Sequence, residues 1–191
     1  MDRTDILNDY VTDMAAVEKH IHDAVERQLG SDDTQKYPDA IRVLSTLRTT
    51  LQGHVRALEA FNDRTQDGGV KEALKDAVAG ALGVAAGFYD QIRGTDKVSR
   101  MIRDSYTATS LAAISYHMLY TTALGLKSDE LASLALRNLK ELTPILVDLS
   151  KVICSVVATE LANEGRSIDA TVADEAVRAT QEAWSQENVE S

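Results

Sequence analysis

Residues 128–157 read SDELASLALRNLKELTPILVDLSKVICSVV. Leu131, Leu134, Leu142, Ile145, Leu149, Val152 and Val156 fall on one side of a 3.6-residue helix, because most are three or four positions apart. Ser128-Asp129-Glu130 supplies a helix start, with acidic residues at the positive end of the helix dipole. Asn163-Glu164-Gly165 supplies a stop. Pro144 lies inside the run, where it removes one backbone donor and opposes the carbonyl of Lys140, so the spacing predicts a long helix with a kink. A stripe this regular needs other helices to bury it, and the chain supplies them on its N-terminal side.

The preceding run carries Val98, Ile102, Tyr106, Leu111, Ile114, Met118 and Leu124 and turns at residues 125–128. Upstream, Val70 to Ile92 is rich in alanine and glycine, which marks either a weak helix or close backbone packing. A second long run opens at Pro38 and continues through Ile41, Leu44, Leu47, Leu51, Val55, Leu58 and Phe61 to Asp67-Gly68-Gly69. The first run holds Ile6, Leu7, Tyr10, Val11, Met14, Val17, Ile21 and Val25 and stops at Gly30. After residue 165 an amphipathic segment from Thr171 to Trp184 is followed by a polar tail. Short turns make the members of each pair antiparallel neighbours. The reading is all-α: an antiparallel four-helix bundle over residues 1–165, with additional small-residue and C-terminal helices, the last within 166–191.

Composition sets the function classes. The chain has 191 residues, 20 basic and 30 acidic, for a formal charge of −10. Such a surface repels nucleic-acid phosphates and anionic membranes, so neither is expected as a partner. No apolar stretch reaches a membrane-spanning length, and Met1-Asp2-Arg3-Thr4-Asp5 is too acidic for a targeting peptide. The single cysteine, Cys154, lies in an apolar run and reads as a small hydrophobe in a reducing compartment. A cytoplasmic location follows as the expectation. Phosphate loops, paired Cys-x-x-Cys motifs and nucleophile elbows are missing from the sequence.

Three polar residues stand where core is expected. Glu18 lies four residues after Met14, His54 three after Leu51, and His117 four after Ala113. A carboxylate and imidazoles projecting into a bundle are the raw material of a metal site. The same residues also fit a simpler role, with Glu18 paired to an Arg, Lys or His across the seam and His54 bonded to a tyrosine or carbonyl. Di-iron bundles use Glu-x-x-His, and that spacing does not occur here.

Two segments carry a family resemblance. Residues 13–19, Asp-Met-Ala-Ala-Val-Glu-Lys, and residues 53–59, Gly-His-Val-Arg-Ala-Leu-Glu, resemble the first two helix motifs of the YciE/YciF-type bacterial stress proteins of the ferritin-like superfamily. Arg103-Asp104 with the small-residue run after it resembles the start of that family's next long helix. The resemblance implies a ferritin-like bundle, a stress-related role and a homodimer. It places the family's first-helix glutamate on Glu18. Its second-helix carboxylates fall on Thr49 and Thr50, its later Glu-His pair on Ser115 and Tyr116, and its last acidic pair near residues 143–146. Most oxygen ligands are therefore replaced. The expectation is a degenerate di-metal site without a cofactor, in a non-catalytic or partner-binding protein, with the C-terminal segment around Trp184 as one possible protein-docking element. The alternative is an oxidative-stress protein holding iron or manganese at an atypical site of Glu18, His54 and His117.

Overall fold

A computed structural model describes residues 2–65, 97–169 and 171–185. The described residues are helical, with no strand. Four long helices, α1 (Arg3–Leu29), α2 (Pro38–Thr65), α3 (Val98–Gly125) and α4 (Asp129–Asn163), are followed by a short one, α5 (Val172–Ala183). A single 3-10 turn, Thr34–Lys36, links α1 to α2. The small-residue run over residues 70–92 lies outside the described residues.

Local chemistry fixes the ends. Asp2 caps α1 in a reciprocal box with Asp5, satisfying backbone donors that the first turn leaves open. Pro38 sits at the first position of α2, where its missing N–H costs nothing. Helix α4 continues on both sides of Pro144, whose side chain faces solvent. Between α3 and α4 the chain reverses through Lys127, at φ 55°, while Ser128 N donates to Ala123 O over 2.8 Å. This is a Schellman-type stop with lysine in the place glycine usually takes.

Helix α1 packs on α2, α2 on α4, α4 on α3, and α3 back on α1. One end of the molecule is marked by Arg3 donating to the Lys127 carbonyl (2.7 Å), Thr65 donating to Asn8 (2.7 Å) and the Arg64–Glu130 ion pair. The opposite end is marked by Ser105 donating to Gln28 (2.7 Å), Ser99 donating to Glu160 (2.6 Å) and Lys97 paired with Glu164 (2.6 Å). Helices α2 and α3 therefore run in the same direction, with Thr65 and Lys97 at opposite ends of the molecule.

The core contains Val11, Leu44, Leu47, Leu51, Leu58, Ile102, Leu119, Leu142 and Leu149, all essentially sealed from solvent. Helix α3 departs from its expected stripe. Leu111, Ile114, Met118 and Leu124 are each at least half exposed, while Ser105, Thr109, Ala112, Ala113, Tyr116 and Ala123 face inward. Small side chains let the α3 backbone approach its neighbours, with Val98, Ile102 and Leu119 as the larger aliphatics that stay inside. Helix α5 rests on α4 and buries no residue.

Candidate functional site

The four long helices each send polar groups to one place in the core. From α1 comes Glu18, 0% exposed, and from α2 His54, 2% exposed. Helix α3 contributes Tyr116, and α4 contributes Asn138 and Glu141, one helical turn apart. Sequence alone places Glu18 and His54 in apolar stripes, and the fold brings the two together.

His54 sits between two carboxylates. Its Nδ1 is 2.9 Å from Glu18 Oε1, and its Nε2 is 3.1 Å from Glu141 Oε2. Glu18 is sealed inside, whereas the Glu141 side chain is half exposed. The row therefore leads from the core to the surface. Both contacts can be hydrogen bonds at once in three ways. The ring can carry two protons, the Glu18 carboxyl can hold one and donate to Nδ1 while Nε2–H donates to Glu141, or the Glu141 carboxyl can donate to Nε2 while Nδ1–H donates to Glu18.

Tyr116 and Asn138 close the inner side. The Tyr116 ring meets His54 edge to face, with centroids 5.9 Å apart and planes at 89°. Asn138 Nδ2 donates to the Tyr116 hydroxyl at 2.9 Å, and that hydroxyl also acts on Glu18. Burial pushes the Glu18 carboxyl above the usual carboxylate range. His54 and Tyr116 draw it back by hydrogen bonding and charge, and Glu141 adds to the rise. Burial, reinforced by the charge of Glu18, also holds the Tyr116 phenol far above its ordinary value. Glu18 Oε2 and Asn138 Oδ1 are buried and make no hydrogen bond of good geometry.

His117 does not join this group. It is exposed, and Tyr116 takes the inward position one residue earlier. A one-residue offset turns a side chain about 100° around the helix. Thr49 is exposed and spends its hydroxyl on the Ser45 carbonyl (3.0 Å) within its own helix. Ser115 does the same with Leu111 (2.8 Å). The acidic group that α4 supplies is Glu141, two residues before the window in which the family resemblance puts a carboxylate pair.

Tyr116 and Glu141 escape a reading of composition and spacing. Tyr116 passes for an ordinary core aromatic and Glu141 for a surface acid. Asn138 does leave a signal, as a polar residue one i, i+4 step from both Leu134 and Leu142.

The donor set does not fit a di-metal centre, because the group offers two carboxylates and one imidazole, and both ring nitrogens already face carboxylates. Among the described residues, the set of three His, Cys, Asp or Glu groups whose ligand atoms lie within 4.8 Å of one another is His22, Asp23 and Glu26 on α1. Asp23 and Glu26 in that set are exposed. No described helix is long and apolar enough to cross a membrane. No family model matches this chain, and neither a curated protein nor a solved structure gives a significant match.

Proposed function

We propose that this chain is a non-catalytic, ferritin-like four-helix bundle that serves as a stress-related or partner-binding scaffold. In this reading a hydrogen-bonded polar core stands where the family resemblance implies a di-metal site. The observation that carries it is the engagement of both His54 nitrogens, by Glu18 at 2.9 Å and Glu141 at 3.1 Å, which satisfies the ring within the protein's own hydrogen bonding. The parallel course of α2 and α3 supports the ferritin-like arrangement. A cytoplasmic location belongs to the same proposal and rests on the single cysteine.

The scaffold would act as a homodimer. Leu111, Ile114 and Met118 form an outward stripe on α3, and residues 105–125 contain no charged side chain in a chain of formal charge −10. A face without charge avoids the self-repulsion that the remaining surface imposes on a second copy. Mass in solution, with Ile114→Glu as the disrupting variant, measures this part.

Metal content decides the main reading. After anaerobic loading with ferrous or manganous ion and desalting, elemental analysis is expected to find well under one metal per chain. Glu18→Gln and His54→Gln should give the same result. Stoichiometric metal that disappears in His54→Gln would overturn the proposal.

One arrangement favours the metal-binding alternative. A carboxylate on Nδ1 is the usual orienting partner of a metal-bound histidine, and Glu18 occupies that position while Nε2 and Glu141 converge. Under this reading Glu141→Gln lowers iron or manganese content as strongly as His54→Gln does.

A further inference from the structure

We infer that the cleft beneath α5 is a binding site for a small aromatic monocarboxylate. The cleft has a volume of about 250 Å³ and is bounded by Arg103 and Tyr106 of α3, Ser150 and Cys154 of α4, and Gln181 and Trp184 at the α5 end of the chain. It is distinct from the polar core, whose residues do not line it.

The packing of α5 is incomplete without an occupant. None of its residues is buried, although one face is strongly apolar. Trp184 is 60% exposed even though its ring lies 6.2 Å from that of Tyr106, the two planes at 48°. Two aromatic surfaces thus border a space that a flat apolar ring can enter, gaining contact with both. The volume falls below that of pockets for drug-sized molecules, which fits an occupant with one ring.

Polar groups define the other end of the ligand. Arg103 is the one charged side chain among the described residues that line the cleft. Its Nε and Nη2 both hold Asp104 Oδ1, at 2.8 and 2.7 Å, and Nη1 has no partner among the described residues. The guanidinium is half exposed and oriented by Asp104, with a donor to spare. Gln181 Nε2 reaches Ser150 Oγ at 3.4 Å, the long limit of a hydrogen bond, so the Gln181 amide can turn to a ligand oxygen, while the Ser150 hydroxyl donates to the Val147 carbonyl at 2.7 Å. An apolar, aromatic-walled cleft with a fixed guanidinium selects an acid over its neutral analogue.

The chain's single tryptophan makes the test direct. The intact protein is titrated with 4-butylbenzoate while Trp184 fluorescence is followed, with 4-butylbenzyl alcohol as the neutral counterpart. A saturable change is expected for the acid, with affinity about tenfold above that of the alcohol. Arg103→Gln should reduce the acid to the alcohol's affinity. Cys154→Phe should fill the cleft and remove the response while circular dichroism stays unchanged. Should that variant unfold, alkylation of Cys154 in the unsubstituted chain supplies the second measurement, and 4-butylbenzoate is expected to slow it. A linear response, equal affinity for acid and alcohol, or an alkylation rate indifferent to the acid would each overturn the proposal.

Discussion

His54 is the residue on which the polar core turns. Its removal would leave Glu18 buried with no partner on Oε1, and breaking a buried pair from one side costs about 3 kcal/mol. His54→Ala is expected to lower unfolding free energy by about that amount in urea denaturation. His54→Leu combined with Glu18→Leu should recover much of the loss, because apolar replacement removes the unpaired carboxylate as well. Acidity gives a second handle. The Glu18 carboxyl is held above its ordinary value of 4.5, so the folded state binds that proton more tightly than the unfolded state does. The stability linked to the proton is complete below 4.5 and is lost as pH rises through the folded value. Glutamine cannot ionise, so Glu18→Gln should gain stability relative to the unsubstituted chain between about pH 4 and about pH 7. Paired denaturation curves at those two pH values measure the difference. At this scale Glu18 and His54 were legible as interruptions of apolar stripes. Tyr116 and Glu141 were not, since nothing local separates them from an ordinary core aromatic and an ordinary surface acid.

Helices themselves followed from periodicity and caps, and their weak points are local too. Gly53 lies inside α2 with nothing within 4 Å of where a Cβ would stand. Gly53→Ala should therefore raise stability by about 0.5–1 kcal/mol, read as an upward shift in Tm. Lys127 holds a positive φ that favours glycine. Lys127→Gly should stabilise the α3–α4 turn by up to about 1 kcal/mol, and the bond from Arg3 survives because it uses the Lys127 carbonyl. In α3 the periodicity misled. Leu111, Ile114 and Met118 keep helical spacing as faithfully as a core stripe does, but the inner face is built from Ala112, Ala113, Tyr116 and Ala123. Two apolar faces on one helix leave the choice of the buried face to its neighbours, and His117 was assigned to the wrong side for the same reason.

Across the whole molecule, charge opposes the fold. A formal −10 on a chain of this size is self-repelling. The exposed pairs Lys97–Glu164 and Arg64–Glu130 tie its two ends but gain little in water. Raising sodium chloride from about 20 mM to about 500 mM should therefore raise Tm, because screening relieves net repulsion more than it weakens a few surface pairs. A fall in Tm would mean that the surface pairs dominate. Sequence by itself determined that the described chain is helical, where α1 stops, where α2 opens, where α4 begins and ends, and that Glu18 and His54 would be costly to bury alone, because these depend on spacing, turn residues and the chemistry of single side chains. Only the tertiary structure decided which face of α3 turns inward, that α2 and α3 run the same way, and that His54 lies between Glu18 and Glu141 beside Tyr116. Those facts depend on packing between residues as far apart as 18 and 141, and the spacing within one helix carries no information about its rotation against the next.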